Sequence, residues 1–324
     1  MDLICLGIIL VDMFPLEVGK PLVEVSAFMP KPGGSSANVA VAAKRMGSQS
    51  AFIGKVGQDI FGHWLQDVLS TEGVDTSGMV FDEEVRTSLV FIGMPDEHSA
   101  EFVFYRNPGA DMRLTQEDLN QSLLKGTKAL HIDSISLTNP SYRKATIKAI
   151  KLVKKSGGFI SFDVNYRPTM WPSPEDAIEA TQDIIPLCDI IKVNDSELEL
   201  ITGKTDPYAG GKIILTLGGQ ICLITQGDKG SYFLTPDHQG FVPAFKVKTI
   251  DSIGCGDAFL GALLNQFLQY DSLKTALQPQ NVEKVIRFAA AAGALTATKR
   301  GALPAIPYRD EVDAFIRNLI SKED

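Results

Sequence analysis

The chain has 324 residues, of which 44% are hydrophobic and 22% charged, with 31 basic against 39 acidic side chains and a net charge of −8. That is ordinary globular composition, enough for roughly two domains' worth of core, although α/β folds also hold such a length as one unit. The acidic balance argues against nucleic acid as a partner, since a phosphate backbone needs a basic stripe, but it leaves room for a small anion in a local pocket. Cys5, Cys188, Cys222 and Cys255 are scattered without a C-x-x-C pair, which reads as reduced thiols in a cytosolic protein.

The opening LICLGIILV is apolar, lacks a basic leader and gives way to Asp12. It is too short for a membrane span or a signal peptide, so it reads as a buried strand in a chain expected to stay in the cytoplasm, away from membranes. PLVEVSAF (21–28) reads as a further strand and SANVAVAAKRMG as a helix. TSLVFIGM (87–94) and AEFVFYRN (100–107) flank the polar PDEHS, which predicts a hairpin. The expectation is a small β-sheet lid, about residues 12–35 and 86–111, attached to an α/β body of about 1–11, 36–85 and 112–324. The two form a single unit.

From about 128 onward strands and helices alternate. KALHIDSISL is a predicted strand, followed by a helix over NPSYRKATIKAIKLVKKSGG with Ile147, Ile150 and Val153 on one face. GFISFDVN is a strand, SPEDAIEATQDII a helix, and DIIKVN, ICLIT and FKVKT are strands. Helices fill most of 256–320. Almost wholly apolar strands separated by helices predict a central, mostly parallel sheet covered on both faces.

Ligands in such sheets sit beyond the carboxyl ends of the strands. Polar turns fall there in succession: DVN (163–165), VNDSE (193–197), TQGDKG (225–230) and DSIGCGD (251–257). In the last, Gly254, Cys255 and Gly256 let backbone N–H groups approach a phosphoryl group at a helix start, and Asp257 stands ready to accept a hydroxyl proton. The plainer alternative is a tight turn with an acid supporting the helix. PGGSSANVA offers Gly33, Gly34 and Asn38 to a polyol, or else a flexible entry capped by Ser35 or Ser36. Asn194 and Glu197 have the spacing of a capping box, and equally of a carboxylate reaching toward hydrated magnesium. TQGDKG suits a nucleotide loop or a simple hairpin. Arg106 and Arg167 are loop arginines suited to phosphate or hydroxyl recognition, or to plain solvation. The four histidines show no ligand spacing, and both the Walker pattern and a G-x-G-x-x-G after a strand are absent.

Taken together, GGSSANVAVAAKRMG and DSIGCGDAF resemble the two signatures of the ribokinase-like, or PfkB, family of carbohydrate kinases, over nearly the whole chain. FYRNPGADMRL, AFIGKVGQDIFG and KRGALPAIP are most similar to its fructokinase branch. The resemblance implies an α/β fold of ribokinase-like type with a β-sheet lid that often forms a homodimer contact, and an ATP-dependent phosphotransferase using Mg2+. It assigns Asp257 as catalytic base and Gly254, Cys255 and Gly256 as the anion hole. Asp12, Gly33, Gly34, Asn38, Arg106 and Arg167 become substrate-binding positions. Asn194, Thr225, Gly227 and Gly230, with Gly254 and Gly256, become nucleotide-binding positions. Glu197 would hold Mg2+ through water, and Asp251 with the 299–301 loop a monovalent cation such as K+. Departures from the family pattern are Cys255 for alanine, Ile253 for threonine, Ile8 for glutamate and Ala290 for asparagine. Ser35-Ser36 also replaces a more frequent pair. The implied activity is fructokinase. A 2-keto-3-deoxygluconate kinase and a sugar sensor without catalysis are the alternatives, and a nucleoside kinase lacks an identifiable aromatic sandwich.

Overall fold

The computed structural model describes residues 1–95 and 101–323, with side chains described up to residue 318. The opening apolar run is two strands. β1 (Leu3–Leu6) and β2 (Leu10–Pro15) belong to different sheets. The chain changes sheets at Gly7, where a Cβ would run into the hydroxyl of Ser36. Uniform hydrophobicity hides such a break, because both strands are buried. β3 (Phe28–Gly33) returns beside β2, and β4 (Ser50–Gly57) and β5 (Asp75–Asp82) extend the larger sheet. β6 (Leu89–Gly93) and β7 (Glu101–Tyr105) form the expected antiparallel hairpin, whose connection at 96–100, with His98, lies outside the described residues.

The remaining strands are β8 (Ala129–Asp133), β9 (Phe159–Asp163), β10 (Ile190–Asn194), β11 (Ile221–Thr225), β12 (Gly230–Leu234) and β13 (Gln239–Pro243). Nine strands make the large sheet, in the order β13-β12-β11-β10-β9-β8-β1-β4-β5. It is parallel from β11 to β5 and antiparallel only at β12 and β13. The small sheet runs β3-β2-β6-β7.

Two expected strands do not form. Residues 21–28 hold a 3-10 turn at Leu22–Glu24, with Val23 92% exposed, so there is no buried face to hold a strand in register. The N–H and hydroxyl of Ser26 both donate to the Glu17 carboxylate at 2.9 Å, doing locally what a partner strand would do. FKVKT (245–249) is likewise irregular. β13 ends at Pro243, which has no N–H to continue a ladder, and Phe245 turns aside to meet Phe315 edge-on at 5.4 Å.

Helices cover both faces of the large sheet, which separates the buried core into two main clusters. On one face the helix Ser35–Arg45 lies against the helix Cys255–Phe267, and behind that lies the helix Pro279–Ala297. Gly261 permits the first contact: a Cβ there would press on Ala42 and come within 2.8 Å of the Val39 carbonyl. On the other face the helix Pro140–Lys155 starts at Asn139, whose side chain accepts from the N–H groups of Ser141 and Tyr142. It buries Tyr142, Ala145, Ala149, Ile150 and Val153, while Ile147 is only half-buried. Among the described residues no helix is long and apolar enough to cross a membrane.

Candidate active site

The two signature stretches meet through the packed helices. Asp257 sits in the first turn of Cys255–Phe267, and its Oδ1 and Oδ2 accept from Ser35 Oγ and Asn38 Nδ2, both at 2.8 Å. These contacts span 222 and 219 residues of sequence, so the carboxylate is placed by the fold and not by its own turn. Burial raises the Asp257 pKa above the ordinary carboxylate value, while the bonds from Asn38 and Ser35 work against that rise. Gly254 takes the left-handed conformation (φ 81°) that turns the chain into the helix, and its absent Cβ would meet Ala302 at 2.9 Å. The Cys255 N–H donates to the Ser252 carbonyl at 3.3 Å, and the N–H groups of Gly256 and Asp257 fall in the first turn, before the helix's own i−4 bonds begin.

The small sheet supplies the facing wall. Asp12, on β2, is buried, and its pKa is pushed up to about 7, first by desolvation and then by the charge of Asp257. Gly33 on the neighbouring strand leaves the room that the Asp12 carboxylate fills, and Gly34 (φ 111°) passes against the Ile8 backbone. Arg106 is buried after β7, with Nε donating to Asp111 at 2.5 Å and Nη2 left without a partner. The Oδ1 of Asn38 is also buried and unpartnered. A donor and an acceptor held dry in this way suit a polyhydroxylated ligand. Arg167 is different: it is exposed, and its Nη1 donates to the Tyr166 carbonyl at 3.1 Å, with no bond to the Asp257 cluster.

The serines read as helix caps do other work. The cap residue is Gly34, with no side-chain cap bond. Ser35 holds Asp257, and Ser36 donates to Asp133 at 2.9 Å. Behind this pair lies a buried layer that the sequence reading did not single out. Asp133, Asp163 and Lys192 sit at or near the carboxyl ends of β8, β9 and β10, with Asp163 in register with both of the others. Lys192 Nζ bonds the two Asp163 oxygens at 2.9 and 2.8 Å. Burial lifts the Asp133 pKa to about 6. A charged lysine inside an apolar strand was the available signal.

On the far side of the 254–257 turn lies a cleft of about 770 Å³, lined in part by Thr225, Gly227, Gly230, Cys255 and Gly256. The β11–β12 turn of TQGDKG is a hairpin, and its residues line one wall of this cleft. Ala290, Gly293, Ala294 and Ala297, small residues of the helix Pro279–Ala297, line the cleft as well. Cys255 keeps its thiol protonated, with burial pushing its pKa up to about 12.

Asn194 and Glu197 form a complete capping box: Asn194 Oδ1 accepts from the Glu197 N–H and Glu197 Oε2 from the Asn194 N–H, both at 2.8 Å. The other Glu197 oxygen accepts from the Tyr166 N–H at 2.8 Å. Asp251 ties the 299–301 loop by accepting from the Gly301 N–H at 2.8 Å, and also accepts from the Ile253 N–H at 3.0 Å. Among the described residues no three His, Cys, Asp or Glu side chains gather as a metal-holding group. This donor set fits a hard cation that arrives with phosphate oxygens and its own water shell, and does not fit one caged by protein ligands.

Comparisons with known proteins show the family of the chain. The family model for pfkB family carbohydrate kinases matches residues 1–309. A curated relative, the probable fructokinase-2 of Arabidopsis thaliana, is 42% identical over 312 residues, covering 96% of this chain and 94% of its own. The crystal structure of fructokinase from Xylella fastidiosa with bound ATP is similar with a TM-score of 0.89 and 31% identity, covering 98% of both chains. A double mutant of the fructokinase from Vibrio cholerae O395, solved with fructose, ADP and potassium ion bound, is similar with a TM-score of 0.87 and 34% identity, covering 97% of both chains.

Proposed function

Because the chain belongs to the pfkB family of carbohydrate kinases, we propose that it is a fructokinase, transferring the γ-phosphoryl group of ATP to the 6-hydroxyl of D-fructose. The observation that carries this is the carboxylate of Asp257, fixed by Ser35 and Asn38 where a dry polar wall meets a nucleotide-sized cleft. Phosphoryl transfer needs alignment and charge stabilisation more than covalent help. Asp257 orients the sugar hydroxyl and takes its proton as the oxygen attacks phosphorus. The N–H groups of 254–257 hold the charge that builds on the equatorial oxygens.

Asp12, Asn38 and Arg106 bind the sugar hydroxyls, with Gly33 and Gly34 giving the ring close access to the backbone. The small sheet acts as a lid that keeps out water, the competing acceptor. Thr225, Gly227 and Gly230 frame the nucleotide, and Arg167, exposed and bonded to the Tyr166 carbonyl, would exchange that bond for the phosphates. Glu197 and Asn194 would hold Mg2+ through its water shell, and the ion would supply charge neutralisation for the phosphates. Asp251 with the 299–301 loop keeps the anion hole in shape, in the manner of a potassium-stabilised turn. Asn194 also anchors the helix start beside the nucleotide.

A second acceptor, 2-keto-3-deoxygluconate, is favoured by one observation: the unpartnered Nη2 of Arg106 would suit a carboxylate. Measuring ATP-dependent phosphorylation of both sugars decides between them. The expected result is a kcat/KM for fructose at least about 100-fold the higher, the scale on which a missing polar partner is rejected. Preference for the keto acid, or ADP release with neither sugar, would overturn the assignment. We further place the protein in the cytoplasm as a homodimer joined through its lid sheets.

A further inference from the structure

Lysine rarely occupies an interior strand, because burying an ammonium costs several kcal/mol on the order of magnitude unless it is paired. Lys192 does so in β10, with only 6% of its surface exposed, and its partner Asp163 lies directly across on β9. Such a pair is poor value for stability alone, since two apolar side chains would hold two strands together as well or better. Its location suggests another use. Lys192 Nζ lies 3.7 Å from the point where a Cβ on Gly256 would sit, directly under the turn that carries Asp257.

We propose that Lys192, steadied by Asp163, is a positioning residue that keeps the Asp257 carboxylate ionised and aligned for proton abstraction. The inference rests on the reading of Asp257 as the base and adds the group that tunes it. The charges facing this spot are unequal. Asp133 and His131 come from β8, Asp163 from β9, Glu197 from the helix Asp195–Thr202, and Asp12 from β2 beside Asp257. Lys31 faces Asp12 from the lid, and His131 is held neutral because burial lowers its pKa to about 4. Arg106, also buried, is paired with Asp111, so Lys192 is the cation beside the Asp257 turn. Burial works against its charge, but Asp163, Glu197 and Asp257 together outweigh burial and hold its pKa above the ordinary lysine value. The same ammonium opposes the rise that burial and Asp163 impose on Asp257.

The test is the acidic limb of kcat/KM against pH in wild type, Lys192→Met, Asp163→Asn and the double variant, with thermal unfolding recorded for each. It is measured with whichever sugar the wild type phosphorylates, so a wrong sugar overturns the fructokinase reading and leaves this one standing. Lys192→Met should move the limb to higher pH, costing about tenfold in kcat/KM on the acidic side while the alkaline plateau stays within about threefold. Asp163→Asn, which keeps its shape, should move the limb the other way, and the double variant should return it close to wild type. A limb that stays put in both single variants, with loss only in the plateau or in melting temperature, would make the pair merely structural and overturn the proposal.

Discussion

Asp12 shows how a single residue trades stability for function. Its carboxyl is buried against Asp257, and its pKa rises from 3.8 to about 7. A carboxyl raised in the folded state contributes stability that is fully present below the unfolded pKa and is lost as pH rises through the folded one. The loss therefore accumulates between pH 3.8 and about 7 and is complete above that. Asp12→Asn removes the titration while keeping the shape. The variant should melt a few degrees higher than wild type at pH 8, with the gain fading toward pH 4, and its KM for fructose should rise about tenfold or more. Calorimetry across that range checks the first part, and equal differences at both ends would remove burial of the charge as the cause. Asn38 and Asp257 stood out as candidates in the sequence because each sits in a short glycine-rich stretch, whereas Asp12, in the apolar LVDMFP, was pointed to only by the family resemblance. Lys192 did not stand out, since its meaning lies in a partner 29 residues away on the next strand. Ser35 was misjudged for a related reason. A serine before a helix looks like a cap, and only the packing of a second helix turns it toward Asp257.

At the scale of elements, the small sheet is the part whose existence was readable and whose edges were not. The hairpin of β6 and β7 follows from alternating apolar residues around a polar connection. The switch of LICLGIILV between two sheets has no local signature beyond Gly7, because both halves are buried by different neighbours. β7 is an edge strand, and Phe102, Val103 and Tyr105 on it are 44%, 42% and 64% exposed. Edge strands with large apolar side chains on view tend to associate. The lid should therefore pair with a second copy, giving a sedimentation mass near twice 35.2 kDa. Phe102→Glu with Tyr105→Glu should return the protein to one chain and raise the KM for fructose, because an unpaired lid closes less firmly. A wild type that sediments as one chain at micromolar concentration would rule out the pairing.

As a whole molecule, the protein carries a net charge of −8 yet is proposed to bind a nucleotide polyanion. The resolution is local. Cys255 and Gly256 at the start of Cys255–Phe267 and the 225–230 turn line the cleft, with Lys246 on its wall, so we assign the binding potential to the dipoles of these turns and not to net charge. The architecture that sets these dipoles opposite a buried polar wall was readable from strand ends arriving in succession. The strand expected just before the 251–257 turn was not formed, and the cleft is completed there by irregular chain. What holds the molecule's chemistry together is the meeting of two distant stretches at one carboxylate. The direct measurement is Asp257→Asn, with fructose affinity followed by calorimetric titration and turnover by ADP release. Fructose should still bind within about threefold of wild type while kcat falls at least about 100-fold. Turnover retained within a few-fold in the folded variant would contradict the account.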